Sequence, residues 1–426
     1  MRQEYEVRDP IYGFISFNDW EKRIINHPAL QRLRRIKQLA LTEMVYPGVT
    51  HTRFEHSLGV MHFATMMYDS IVKNNLNLLK DRLSYNDAGL NTDRQLIRLA
   101  ALLHDVGHSP FSHASEELMP TNPQKKRPFK HEEYTTAIIM DLLKETIEDH
   151  PINKTNYRIE AEEVAALIEG NPEILGDRLF WRVLISSQLD ADRGDYLLRD
   201  SYHAGVKYGV YDHSRLINTL TLGIDPESNE VVLGVSKDGW HVAESMVIAR
   251  YLMFTQVYFH KTRRAFDYHL KSALQNTLDG GKYPDPRSSS LENFMELDDY
   301  AMWDRFRSLR RYDPHCSAIM KRDHVREVYS TAEVPSPEDE ADLQAKKLLL
   351  EKAEVEFYED RSEKLWYALN DSKNGDKEVM VIAPGSERSA RPLSSYSSIV
   401  KNIGDVRQIR IYVWPQDRAE AEVVLR

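Results

Sequence analysis

The sequence predicts a mainly α-helical protein with small β-hairpins and a smaller C-terminal α+β region. Three observations predict it. Helical patterning runs through residues 20–40, 53–71, 99–106, 155–205 and 241–278. Strand-like alternation is confined to short stretches near the N-terminus, around 221–240 and after residue 378. Tyr283-Pro284-Asp285-Pro286 marks a change to shorter elements, which sets the expected division at residues 1–280 and 281–426.

Residues 1–20 read as one or two short strands, with Tyr12 to Phe17 alternating around a turn. Asn18 or Asp19 can cap the next helix, and Pro28 opens a second turn after His27. Leu30, Leu33, Ile36 and Leu39 carry the helical period until Pro47-Gly48 breaks it. His51-Thr52-Arg53-Phe54-Glu55-His56-Ser57-Leu58-Gly59 leads into a long apolar helix through Met67 and Ile71. His56 shares a face with Val60 and Phe63 and so points inward. Residues 80–95 are polar and read as loop.

The apolar run from Leu99 to Leu103 then ends in His104-Asp105-Val106-Gly107-His108. A new segment starts at Ser109-Pro110-Phe111-Ser112-His113, with Glu116 one turn on. Residues 120–130 read as a Pro- and Lys-containing loop, and His131-Glu132 opens the next helix with an acid near its positive end. Within 155–205, Asp192, Tyr196 and Asp200 are spaced to share one helix face. A hairpin is expected around Asp225-Pro226-Glu227-Ser228-Asn229. One long aromatic-rich helix should come next over 241–278, carrying His260, Lys261, Arg263 and Arg264. Ser336-Pro337-Glu338 starts a charged helix, and strands are expected over 378–383 and 408–414.

Composition narrows the classes of function. The 426 residues are 42% hydrophobic and 29% charged, enough for one large core or two domains. The single cysteine, Cys316, excludes an intrachain disulfide and a cysteine zinc site. Met1-Arg2-Gln3-Glu4-Tyr5-Glu6 lacks an apolar signal region, and no stretch is long enough to span a bilayer, so a cytoplasmic protein without membrane attachment is expected. The net charge of −10 argues against a general nucleic-acid binder. Two basic clusters run against it: Arg32, Arg34, Arg35 and Lys37, and Lys261, Arg263 and Arg264. They read as solvated helix faces, or as spots for a small polyanion such as a nucleoside triphosphate.

An Asp at the end of an apolar helix is expensive to bury without a partner. A lone His-Asp pair is more often a helix cap than a site, but His56, His104, Asp105 and Asp192 together make two imidazoles and two carboxylates. With water completing the shell, that set suits Mn²⁺, Fe²⁺, Mg²⁺ or Zn²⁺ without choosing among them. Such an ion lowers the pKa of bound water and polarises a phosphoryl oxygen, and His108, His113 and His131 could then donate protons or hydrogen bonds.

These stretches, with Gln31-Arg32-Leu33-Arg34-Arg35-Ile36-Lys37-Gln38-Leu39 and the run from Asp192 to Asp200, resemble the HD-domain phosphohydrolases. More narrowly, the chain resembles the deoxynucleoside triphosphate triphosphohydrolases, over about the first 270 residues. The resemblance implies that His56, His104, Asp105 and Asp192 hold the metal. Arg53 would bind phosphate. His131 would be the catalytic acid at the α-phosphate, with His108 and Glu116 beside it, and His113 would contact phosphate or base. Gln38 and Leu39 would line the sugar pocket, Tyr196 would pack under the deoxyribose, and Asp200 would bond its 3′-hydroxyl. Charge agrees with this: a triphosphate brings about four negative charges, which gives Arg53, Arg193, Lys261 and Arg263 or Arg264 a place beside it, with His260 in the same binding set. The products would be a deoxynucleoside and tripolyphosphate, the assembly a homodimer or tetramer.

A second, activating nucleotide is implied near Gln31 and Arg34. There Asn26 stands where the vertebrate enzyme has Asp, which puts the base choice in doubt; Glu116 likewise replaces an Asp. Among other HD hydrolases, the alarmone enzymes carry Glu-Asp where Val106-Gly107-His108-Ser109 stands. The cyclic-dinucleotide enzymes carry Lys at the place of His108. Action on a monophosphate or modified dNTP, a nuclease or phosphodiesterase, and a module that binds nucleotide without turnover are the competing readings.

Overall fold

A hairpin opens the chain, as expected: Glu4–Asp9 pairs antiparallel with Gly13–Asn18, from Glu4↔Asn18 to Asp9↔Gly13. The computed structural model describes residues 4–364, 378–385 and 387–426, so Met1, Arg2 and Gln3 of the opening stretch lie outside the described residues. Asp9 Oδ1 closes the turn by accepting from the Ile11 and Tyr12 amides at 2.8 and 3.0 Å. Asn18 caps helix Asp19–Ile25, accepting from the Glu21 amide at 2.9 Å while the Glu21 carboxylate accepts from the Asn18 amide at 2.9 Å. His27 caps Pro28–Arg32, with Pro at the first turn.

The helix expected over 20–40 does not continue. After a 3-10 turn at Leu33–Arg35 the backbone extends at Ile36, and Lys37 bridges to Thr52. This detour lays Gln38 and Leu39 beside the start of the long helix, Arg53–Leu83. Arg32 also departs from the solvated face read for its cluster: it is 1% exposed. Its Nε donates to the Leu297 carbonyl at 2.9 Å and its Nη1 to the His108 carbonyl at 2.8 Å, over the Phe294 ring. Arg34 and Arg35 are exposed, as that reading requires.

Residues 80–95 are helical rather than loop. The long helix runs to Leu83, Ser84 takes a left-handed conformation, and Asn86 caps Asp87–Leu103 by accepting from the Gly89 amide at 2.8 Å. Most polar residues of this stretch lie on the outer faces of the two helices, but Asp93 and Gln95 are buried, Asp93 accepting from Arg178 at 2.7 Å and Gln95 donating to Glu21 at 2.8 Å, beside the buried Leu79, Leu90 and Leu96. The two helices pack side by side. Val60, Phe63, Ala64 and Met67 of one and Ile97, Leu99, Leu102 and Leu103 of the other are buried in one continuous core. Each such large side chain contributes about 1.5–3 kcal/mol relative to exposure.

The 120–130 segment contains a two-residue hairpin, Thr121–Asn122 with Arg127–Pro128, before helix His131–Ile138. The polar-faced helix expected within residues 155–205 spans Ala191–Ala204, capped by Asp190. The single helix expected over 241–278 is broken. Trp240–Met253 passes into a π-helical turn at Phe254–Tyr258, Phe259 leaves the helix, and His260 caps a new helix, Lys261–Thr277.

Leu220–Ile224 and Val231–Ser236 form the expected hairpin, which Met380–Ile382 extends in parallel and Ala390–Pro392 completes. A second sheet places Val406–Val413 between Arg326–Ser330 and Phe357–Lys364, all antiparallel. Helix Pro337–Lys352, boxed by Ser336 and Asp339, covers this sheet through Leu343 and Leu350. Residues on both sides of position 280 meet at one clamp. Asp299 accepts from the Lys37 amide at 2.9 Å and the Phe111 amide at 2.8 Å, and Arg35 pairs with Asp298.

Candidate metal centre and cavity

Helix Asp87–Leu103 ends because the next residues turn back on themselves: the Val106 amide donates to Leu103 and the His108 amide to Asp105, each at 3.1 Å. Gly107 is required in this turn. A Cβ there would stand 2.2 Å from the Thr135 nitrogen and 2.4 Å from the His131 carbonyl, so only glycine lets helix His131–Ile138 pass. Thr135 then locks the turn, donating to the His104 carbonyl at 3.0 Å and accepting from the Gly107 amide at 3.1 Å.

The turn aims His104 and Asp105 at the starts of the long helix and of Ala191–Ala204. His104 Nδ1 donates to the Ala101 carbonyl at 2.8 Å, so in the neutral imidazole Nε2 carries the lone pair. That Nε2 is buried and has no hydrogen-bond partner; it faces Asp105 Oδ1 at 3.3 Å and Asp192 Oδ1 at 3.7 Å. His56 is fully buried, its Nε2 3.0 Å from Asp192 Oδ1 and 3.7 Å from Asp105 Oδ2. The donor atoms of His56, His104 and Asp192 lie within 4.8 Å of one another. An orphaned imidazole lone pair between carboxylates fits a divalent cation. Asp105 leans to the other side, pairing with Arg53 and facing His108 Nε2 at 3.3 Å.

The electrostatics agree. Burial would lower the His56 pKa, but Asp192 and Asp195 outweigh it and push it up to about 10. A proton thus compensates the two carboxylates where a cation would do the same. Burial also opposes ionisation of Asp105 and Asp192, yet Arg53, His104 and His108 hold Asp105, and His104 and His56 hold Asp192, well below the usual carboxylate range.

Behind His56 lies a support that residue spacing alone did not single out. Its Nδ1 donates to Asp195 Oδ2 at 2.7 Å. Arg199 grips Asp195 through two bonds of 2.9 Å and reaches Asp9 at 2.8 Å. A carboxylate behind a ligating imidazole fixes its tautomer and orientation. The two helices approach closely enough for this only at Gly59, where a Cβ would lie 2.0 Å from Asp195 Oδ1 and 2.3 Å from Arg199 Nη2.

The cluster forms one end of a cavity of about 540 Å³. Of the residues expected there, Gln38, Leu39, Arg53, His104, Asp105, His108, His113, His131, Asp192, Arg193, Tyr196 and Asp200 line it. His56 sits behind the wall, and Glu116 stands behind His131, accepting from its Nδ1 at 2.7 Å. Burial would lower the His131 pKa, but Glu116, Glu132 and Asp105 raise it. His108, stacked on His131 at 3.9 Å, is pushed well down by burial and by Arg53 and His131. Asp200 is held by His51 Nε2 at 2.8 Å and the Tyr258 hydroxyl at 2.6 Å.

His260, Lys261 and Arg264 are placed elsewhere. His260 caps its helix, Lys261 faces Glu327 at 3.5 Å, and Arg264 binds Asp360 of the C-terminal sheet at 3.0 Å. The break at Phe259 starts the helix afresh, so of this basic run only Arg263 reaches the cavity. Arg182 and Arg250 line it too, although neither was singled out. Arg250 is a lone charge in an otherwise apolar helix segment, the one signal that could have marked it. Asn26, Gln31 and Arg34 lie outside the cavity lining. Gln31 donates to the Ile25 carbonyl at 2.8 Å, and Arg34 donates to Gln31 at 2.8 Å while covering the Phe54 ring. Among the described residues no helix is long and apolar enough to cross a membrane.

The chain matches the HD domain over residues 53–199 and the HD associated region over residues 211–423. It is 29% identical over 270 residues to a Dictyostelium discoideum protein named deoxynucleoside triphosphate triphosphohydrolase SAMHD1 homolog, covering 63% of this chain and 48% of that one. The crystal structure of a hypothetical protein from Aquifex aeolicus superposes with a TM-score of 0.78 at 31% identity, covering 100% of both chains. That of a phosphohydrolase from Bacteroides thetaiotaomicron superposes with a TM-score of 0.71 at 25% identity, covering 96% of this chain and 100% of that one. The chain spans about half the length of the curated relatives it matches. The HD match takes in His56, His104, Asp105 and Asp192, and the associated region takes in both of the larger sheets: this chain belongs to the HD-domain family.

Proposed function

We propose that this protein hydrolyses deoxynucleoside triphosphates to deoxynucleoside and tripolyphosphate, with a divalent ion held by His56, His104, Asp105 and Asp192. The observation that carries this reading is the cavity. It joins the His/Asp cluster to walls bearing Arg53, Arg182, Arg193, Arg250 and Arg263. A triphosphate brings about four negative charges, which such an arginine belt complements. The volume suits a ligand of nucleotide size, and the likeness to the Dictyostelium protein points the same way.

When bound, the ion polarises a phosphoryl oxygen and lowers the pKa of a water. The protein's own groups supply the rest. Water adds to the α-phosphorus, the bond to the 5′ oxygen breaks, and that oxygen takes a proton from His131. Glu116 keeps His131 charged for this purpose. Turnover therefore falls as the pH rises through the raised His131 pKa. Glu116→Gln removes the stabilising charge, so the alkaline limb of the pH–kcat profile is expected to move to lower pH; an unmoved limb removes His131 from the role.

Tyr196 sits one helical turn from both Asp192 and Asp200 and lines the cavity. Packed against C2′ of the sugar, its ring excludes a ribose hydroxyl. Tyr196→Ala is expected to reduce the preference for dNTP over NTP roughly tenfold, read from kcat/KM for matched pairs.

The reading itself is tested by tripolyphosphate release from each dNTP, singly and in mixtures, with Mn²⁺ and with Mg²⁺, beside Asp105→Ala. Release lost in that variant supports it. Release only in mixtures adds an activating nucleotide, for which Gln31 and Arg34 are the positions to substitute. No tripolyphosphate under any condition overturns it.

A further inference from the structure

A second cluster of side chains with metal-ligating atoms borders the same cavity: His108, His113 and His131 line it, and Glu116 stands behind them. Glu116 Oε1 lies 2.7 Å from His131 Nδ1 and 3.0 Å from His113 Nδ1. His108 stacks on His131, and the donor atoms of His108, His113, Glu116 and His131 all lie within 4.8 Å of one another. His108 is fully buried, yet neither of its ring nitrogens has a hydrogen-bond partner. Three imidazoles and one carboxylate are the donors of a tetrahedral zinc-type ion, whose ligand atoms stand about 3.3 Å apart. The Glu116 pairs are already within that spacing, and His108 has to turn toward them. The side chain of His113 is 65% exposed, which gives an ion a path in from the cavity.

From this convergence we propose that His108, His113, Glu116 and His131 form a second divalent transition-metal site, separate from the His56–His104–Asp192 group. Asp105 Oδ1 stands between the two, 3.3 Å from His104 Nε2 and 3.3 Å from His108 Nε2, so its carboxylate can serve both ions. Binding at the second site displaces to solvent the proton that His131 shares with Glu116. If the chain is the dNTP hydrolase proposed for it, an excess of such an ion is therefore an inhibitor, because it removes the proton donor. The site itself does not depend on that reading.

The test uses metal alone. Chelator-treated protein is dialysed to equilibrium against Co²⁺, and bound cobalt is counted per chain alongside the visible absorption of four-coordinate Co²⁺. Wild type is expected to bind two ions and the His113→Asn/Glu116→Gln double variant one. Asp192→Ala is expected to retain one ion with the four-coordinate absorption. Circular dichroism confirms that each variant is folded. One ion or none in wild type, two in the double variant, or no four-coordinate absorption in Asp192→Ala overturns the proposal. Failure of the dNTP assay would leave this count untouched.

Discussion

Asp192→Ala is expected to lose divalent-ion binding at the His56–His104 group and to lower turnover at least about a thousandfold. Asp192 Oδ1 is the oxygen that both imidazoles approach, at 3.0 and 3.7 Å. Lewis-acid stabilisation of a phosphoryl transition state is worth several kcal/mol, and about 4 kcal/mol corresponds to three decades of rate. The side chain is 37% exposed and begins a helix whose cap is Asp190, so folding should survive its removal. Dialysis against the metal, initial rates and a thermal melt separate the outcomes. A variant that melts like wild type, binds as many ions as wild type and still turns over within tenfold would remove Asp192 from the centre.

Arg199→Met should be costly in a different way, by about 3–5 kcal/mol of stability. The guanidinium is 0% exposed and lies between Asp195 and Asp9. Removing it leaves two buried carboxylates without their cation. It also frees Asp195, so His56 loses the group that orients it, and ion affinity should drop roughly 10–100-fold. The pH dependence has a definite sign. Burial opposes ionisation of Asp195, but Arg199 and His56 hold its pKa below the ordinary carboxylate value, so its contribution is present at neutral pH and disappears on acidification. The gap between wild type and Arg199→Met in urea should therefore narrow as the pH falls from neutral into the carboxylate range. A constant gap would mean that Asp195 is not the group left uncompensated.

How much of this could be read from residue order depends on the range of the interaction. The hairpin at Glu4–Asn18, the cap at Asn18, the opening of helix His131–Ile138 and the shared face of Asp192, Tyr196 and Asp200 are local patterns, and all four appear in the structure. The break at Phe259 has neither Gly nor Pro to announce it; it follows a π-helical turn at Phe254–Tyr258. That break is why Lys261 and Arg264 face the C-terminal sheet instead of the cavity. Arg32 looked like a surface charge because its partners, the carbonyls of His108 and Leu297, are remote in sequence and their main-chain oxygens leave no residue signature. In the sequence Asp195 is one of four aspartates between positions 190 and 200. Only the approach of the long helix at Gly59 shows that it supports His56.

The clamp at Asp299 has a kinetic consequence. Burial raises this carboxyl to about 7 even though two amides donate to it. Those amides belong to Lys37, in the detour beside the cavity, and to Phe111, in the turn just after His108. In deuterium exchange the Lys37 and Phe111 N–H groups should therefore open as a pair, at a rate set by the helix Asp299–Leu309 rather than by either loop. The HD domain and its associated region then share one opening event, and a partner that loosens that helix would unlatch both walls of the cavity at once.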